Sequence, residues 1–122
     1  MQKKILFIDD EPVVATLMKK RLEFRGFLVE ITNDGASGLE KAKAWLPDLV
    51  LLDIIMPEMD GYETCRRLKA MKETAHIPVV LFTALQETQL EAQAQKAGAE
   101  KVVQKPFVDQ VFKAITEILG PV

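Results

Sequence analysis

Asp9-Asp10-Glu11 follow the apolar run 4–8, and Asp53 closes a second apolar run at 49–52. Carboxylates gathered at close range repel one another, and one of them keeps its proton unless a cation joins the group. Such hard oxygen donors suit Mg²⁺, which takes one or two carboxylates together with waters and phosphate oxygens. Thr83 and Lys105 follow two further β-type runs, 79–82 and 102–104. A hydroxyl and an ammonium aimed into one cleft can bind phosphoryl oxygens, the first by hydrogen bond and the second as a point charge. Lys105 precedes Pro106, and an X-Pro bond in a tight turn has access to the cis form, which would aim the lysine at such a cleft. Taken singly, Asp10 reads as a helix cap, Asp53 as a cap for the turn through Met56-Pro57, and Lys105 as a solvated loop residue. The chemistry depends on whether the fold brings these distant positions together.

Short apolar runs alternate with longer amphipathic stretches along the chain. The runs at 4–8, 27–31, 49–52, 79–82 and 102–103 are β-branched or leucine-rich. The first, third and fourth are nearly continuous, as strands covered on both faces require. The first helical pattern opens at Asp10-Glu11-Pro12, with Asp at the cap and a proline in the first turn, where its missing N–H costs nothing. Val14, Leu17, Met18 and Leu22 follow as its expected inner face, and Gly26 stops it. The second starts at Asn33-Asp34-Gly35, turns Ala36, Leu39, Ala42 and Leu46 inward, and ends before Pro47. The third opens at Asp60-Gly61 and presents Tyr62, Cys65, Leu68 and Met71, with Arg66, Arg67, Lys69 and Lys72 on a solvated face. The fourth, 87–97, is the weakest, with Leu90 its one large apolar residue. The fifth, 108–119, places Val111, Phe112, Ile115 and Leu119 on one side.

Five strands alternating with five helices predict a doubly wound α/β domain in three layers. Right-handed crossovers leave few strand orders, and the flavodoxin-like order 2-1-3-4-5 suits a five-stranded parallel sheet. Ligands of such sheets bind beyond the carboxyl ends of the strands, where the winding reverses between strands one and three. Asp9, Asp10 and Asp53 are the residues that fall there.

The 122 residues make a single domain, 1–122, the expected unit. An apolar fraction of 48% supplies an ordinary core, and 16 basic against 18 acidic side chains argue against a general nucleic-acid binder. The lone cysteine, Cys65, forms no internal disulfide and has no companion at metal-ligand spacing. No apolar stretch reaches membrane-spanning length and the apolar start is too short for a signal peptide, so a cytoplasmic protein is expected.

The chain resembles a response-regulator receiver domain of the chemotaxis-regulator type over essentially all its length. The matching pieces are Asp9-Asp10, Asp53 within Leu51-Leu52-Asp53-Ile54-Ile55-Met56-Pro57-Glu58-Met59-Asp60-Gly61, Thr83-Ala84, and Lys105-Pro106-Phe107 after Ala97-Gly98-Ala99. The resemblance implies that Asp53 accepts a phosphoryl group from a histidine kinase or phosphotransfer protein and that the domain then switches a downstream effector protein. It implies Mg²⁺ held by Asp10, Asp53 and the backbone carbonyl of Ile55, with Asp9 acting through a water. Thr83 would hydrogen-bond the aspartyl phosphate and Lys105 would pair with it. Such a domain is a self-catalysed phosphoacceptor, not a conventional enzyme, and works as a monomer or a phosphorylation-dependent dimer.

Two departures stand out. Val102 occupies a switch position that often carries Tyr or Phe in this family. Ile55 and Leu85, positions that help set phosphoryl lifetime in the family, are both apolar, and neither can orient an attacking water, so slow hydrolysis is expected. The competing functions fit less well. A haloacid-dehalogenase-type phosphohydrolase needs a second Asp where Ile55 stands, and a flavodoxin-like electron carrier needs a Ser/Thr-rich loop where Asp9-Asp10-Glu11 would repel the flavin phosphate. An unphosphorylated interaction module on the same fold is disfavoured by the intact acid set.

Overall fold

The computed structural model describes residues 2–121. In chain order the elements are β1 (Lys4–Ile8), α1 (Pro12–Phe24), β2 (Leu28–Thr32), α2 (Gly35–Trp45) and β3 (Leu49–Leu52), then α3 (Gly61–Ala70), β4 (Val79–Thr83), α4 (Leu90–Ala97), β5 (Lys101–Gln104) and α5 (Val108–Leu119). The strands form one parallel sheet in the order β2-β1-β3-β4-β5. This is the doubly wound, flavodoxin-like architecture expected from the alternation of runs.

The period of two along each strand divides the interior into two cores. Ile5, Phe7, Leu51 and Phe82 face Met18 and Leu22 of α1 and Val111, Phe112 and Ile115 of α5. Leu6, Ile8, Leu52 and Leu81 face the other way, onto Ala42, Cys65, Leu68, Leu90 and Ala94 of α2, α3 and α4. The central strands β1, β3 and β4 therefore bury both faces, which is why their sequences run apolar without alternating. Cys65 is fully buried in the second core, and burial pushes its thiol pKa up to about 11. Among the described residues, no helix is long and apolar enough to cross a membrane.

Several local expectations need correction. The cap of α1 is Glu11, without a side-chain bond, so Asp10 does not cap the helix. Leu17 and Leu46, expected inside, are exposed. The inner face of α1 is set by Ala15, Met18 and Leu22, one residue out of phase with Leu17, while Leu46 caps α2 in a left-handed conformation that turns it outward. In α2 the buried residues are Gly35, Gly38 and Ala42, Gly38 packing on Ile8 of the sheet and Gly35 on Thr64 and Met59, and Ala36 lies outside. Helix α4 begins at Leu90, three residues late, because its one large apolar side chain is what anchors it. Strand β5 runs longer than its two valines, through 101–104, and β2 lies one residue further along than expected, since Phe27 closes α1 by bonding back to Leu22. Lys69 is not solvated. It donates to the Ile77 carbonyl at 2.7 Å and pairs with Glu100 at 3.1 Å, while Arg66 and Arg67 bind Glu63 on the same helix.

Two features fix the loop after β3. Asp60 caps α3, accepting from the Glu63 amide at 2.9 Å. Gly61 then packs so tightly that a Cβ there would collide with the backbone carbonyl of Asp53. Only glycine permits this approach, so the start of α3 is clamped against the end of β3.

Candidate functional site

The register of the sheet builds the site. Ile8 lies opposite Leu52, and the Asp53 amide donates to the Ile8 carbonyl at 2.9 Å, so the residues leaving β1 and β3 emerge side by side. Asp9 and Asp53 are buried, at 1% and 2% exposure, and Asp10 is exposed. Asp9, Asp10 and Asp53 each bring a carboxylate oxygen to within 4.8 Å of the others. A set of three hard anionic donors at that spacing fits a small divalent cation with open positions for water and phosphate oxygens.

Lys105 reaches across from the end of β5. Its Nζ donates to Asp9 Oδ2 at 2.9 Å, to Glu11 Oε1 at 2.8 Å and to Asp53 Oδ2 at 3.3 Å. The Lys105–Pro106 peptide bond is cis. The backbone amide of Ile54 donates to Asp53 Oδ1 at 2.8 Å and that of Ile55 at 3.4 Å, so one oxygen is held and Oδ2 is presented toward the lysine. Thr83, fully buried at the end of β4, accepts from the Leu85 amide at 3.1 Å and lies one strand away from Asp53. Ile55 and Phe107 are half exposed, Leu85 is half-buried, and Val102 packs at the edge of the second core.

Electrostatics follow from this crowding. Burial raises the Asp9 pKa above its ordinary value, outweighing the opposite pull of its bonds from Lys105 and the Glu11 amide. Burial alone would lower the Lys105 pKa, but the bonds to Asp9 and Glu11 and the charge of Asp53 together raise it. The lysine therefore contributes stability below the ordinary lysine range that is lost as pH rises through its raised value. Asp9 has the opposite consequence to a salt-bridged carboxylate. Folded chains bind its proton more tightly than unfolded ones, so stability falls as pH rises from the ordinary carboxylate value through the raised one. Thermal melts in chelator across that range should show this contribution as the difference between the wild type and an Asp9→Asn variant. The Asp9→Asn variant should melt higher at neutral pH with a flatter pH profile, because the burial cost of its charge is gone while Lys105 keeps Glu11 and Asp53 as partners. A lower melting temperature for Asp9→Asn would contradict the assignment of burial as the dominant influence.

The response regulator receiver domain model matches residues 5–117. The chain belongs to that family. Among receivers, it is 37% identical over 95% of its length to the DNA-binding dual master transcriptional regulator RpaA of Synechocystis, and covers 48% of that protein. It is 33% identical to the receiver domain of a signal transduction histidine kinase from Syntrophus aciditrophicus, with a TM-score of 0.85 and 97% and 89% of the two chains covered. The receiver domain of sensor histidine kinase PA1611 from Pseudomonas aeruginosa, solved with a magnesium ion in its active site cleft, is 25% identical with a TM-score of 0.89. That match covers 98% of this receiver and 99% of the other chain. The chain spans about half, or in one case a quarter, of the length of the curated relatives it matches.

The five strand-end positions singled out in the sequence thus lie at one end of the sheet, four of them within reach of one another. One member of the cluster was not singled out. Glu11 makes the shortest bond to Lys105. Its signal was present in the acidic triplet after β1, but the helical pattern absorbed it as part of the α1 start.

Proposed function

We propose that this receiver domain, 1–122, accepts a phosphoryl group on Asp53 from a phosphohistidine on a histidine kinase or phosphotransfer protein, and that phospho-Asp53 changes the binding of an effector protein. The observation that carries this reading is the meeting of Asp9, Asp10, Asp53 and Lys105 in one pocket at the ends of β1, β3 and β5. Transfer forms a bond between phosphorus and an Asp53 oxygen as the P–N bond to the donor imidazole breaks, the electron pair leaving with nitrogen. Asp10, Asp53 and the Ile55 carbonyl would hold Mg²⁺, with Asp9 acting through a water. When bound, the ion neutralises charge on the transferring group and aligns it.

The chain's own residues do the rest. The amides of Ile54 and Ile55 fix the rotation of the Asp53 carboxylate, which is a weak nucleophile and depends on alignment. Lys105 turns from its carboxylate partners to the phosphoryl oxygens, where its point charge is largest in effect because its surroundings are buried. Thr83 already accepts from Leu85, and its own proton is free to be donated to the phosphoryl group. Turning toward that group would release the Leu85 amide. The loop 84–89 is also tied by Gln104, which donates to the Leu85 carbonyl at 3.1 Å, and by Tyr62, which donates to Glu87 at 2.7 Å. These ties offer a route from Thr83 to α4 and β5 that needs no aromatic at Val102. The domain would act once per phosphoryl group received, in the cytoplasm, as a monomer or a phosphorylation-dependent dimer.

The test is intact-mass analysis after incubation with Mg²⁺ and a small acyl phosphate or phosphoramidate. A gain of one phosphoryl mass, lost in base and abolished by chelator, is expected. No gain, or a gain indifferent to chelator, would overturn the proposal. Lifetime provides a second measurement. Ile55 is 53% exposed beside Asp53 and gives water nothing to bond to. Replacing it by asparagine supplies an amide that can orient water, and dephosphorylation followed by mass should quicken about tenfold, the effect of about 1.4 kcal/mol on the barrier. Slower loss in Ile55→Asn would count against this role.

A further inference from the structure

Helix α1 is apolar on two opposite faces. Ala15, Met18 and Leu22 meet the sheet, whereas Val13, Leu17 and Phe24 form a second stripe at helical spacing on the solvent side, 72%, 57% and 92% exposed. Val13 and Leu17 lie in the first two turns of α1, the end that follows Glu11. Phe24 is different, because it is the last residue of α1, about 16 Å beyond Val13 and about 10 Å beyond Leu17 at 1.5 Å per residue. Around it stand Lys20, Arg21 and Arg25, all exposed, and none of these takes part in an ion pair among the described residues.

A hollow of about 270 Å³ opens between Phe24 and α5, lined by Lys20, Arg21, Arg25 and Phe112. Its floor is aromatic. The Arg25 guanidinium lies 3.8 Å from the centre of the Phe112 ring, so the cation is held in place over a surface that is itself buried. An exposed phenylalanine flanked by three cations that form no ion pair among the described residues, one of them stacked on Phe112, is the complement of a large apolar side chain flanked by carboxylates.

We propose that this α1–α5 groove docks an acidic amphipathic helix of a partner protein, one apolar side chain packing against Phe24 and its carboxylates meeting Lys20, Arg21 and Arg25. A second copy of this chain fits poorly, because a two-fold contact centred on Phe24 would bring the same cations face to face. A lipid or nucleic-acid surface fits less well than a helix. Asp109 and Glu117 stand in the adjoining hollow beyond Arg25, where a continuous sheet of phosphates would meet them. Because the groove is remote from the carboxylate cleft, docking there is independent of phosphoryl transfer and leaves the cleft open.

The full chain, labelled with ¹⁵N, is titrated with a synthetic helical peptide of Glu, Ala and Leu carrying one Trp. Amide shifts should concentrate at 20–25 and 109–116. Binding should weaken at least tenfold for Phe24→Ser, and as much when Ser replaces the Trp. The Lys20→Glu/Arg21→Glu double variant should lose the acidic peptide and gain a lysine-substituted version of it. Circular dichroism and phosphoryl uptake should be unchanged in Phe24→Ser, which separates this proposal from the one above. No shifts, equal binding without the Trp, indifference to Phe24→Ser, or tighter binding to phosphatidylserine vesicles or single-stranded DNA than to the peptide would each overturn it.

Discussion

Asp53→Ala is expected to abolish the phosphoryl mass gain completely while leaving the fold intact. Asp53 is the acidic residue whose carboxylate is both oriented by two backbone amides and faced by Lys105. Asp9 is buried but turned to the lysine and to the Glu11 amide, and Asp10 is exposed without such orientation. A carboxylate gains little as a nucleophile unless alignment is supplied, so neither neighbour should substitute. The variant should also melt higher in chelator, because one of several crowded acids has gone. Mass analysis and a thermal melt on the same sample decide the matter. Residual uptake of a base-labile group in Asp53→Ala would place the acceptor elsewhere.

Lys105→Ala should have two large effects of opposite kind. The Lys105 side chain is 11% exposed and its partners on Asp9 and Asp53 are 0% and 3% exposed, so its removal leaves largely buried carboxylates without their countercharge. Breaking a buried pair from one side costs about 3 kcal/mol, which should appear as a marked loss of stability in chelator. Magnesium should restore much of it, since a divalent cation replaces the missing charge, and the variant should bind Mg²⁺ more tightly than the wild type because the ammonium no longer competes. Phosphoryl uptake should nonetheless fall about 100-fold at saturating Mg²⁺, as one preorganised positive group is lost from the transferring phosphate. A variant that bound Mg²⁺ more weakly, or took up phosphoryl at the wild-type rate, would remove Lys105 from the site.

The sheet was legible because its central strands have to be apolar on both faces, and a run such as Val79-Val80-Leu81-Phe82 admits few other readings. Reversal of the winding between β1 and β3 then requires Asp9 to lie beside Asp53. What the sequence left hidden was phase and contact. Leu17 and Met18 are equally apolar, and only the angle at which α1 meets the sheet decides that Met18 enters and Leu17 does not. Leu46 reads as the last inward residue of α2 because nothing in its type announces a left-handed cap. Glu11 and Lys69 act through long side chains whose partners lie 94 and 31 residues away, distances over which no local pattern carries information.

The burial of Cys65 has a practical corollary. Its thiol is enclosed between α3 and the sheet and holds its proton up to about pH 11, so near neutrality almost none of it is in the reactive thiolate form. A cysteine introduced in the exposed stretch around Gln86 would then be the one site open to maleimide or nitroxide reagents, with the native residue left in place. The chain is suited to single-site spectroscopic labelling without first replacing Cys65, and a probe there would register movement of the segment that Tyr62 and Gln104 tether.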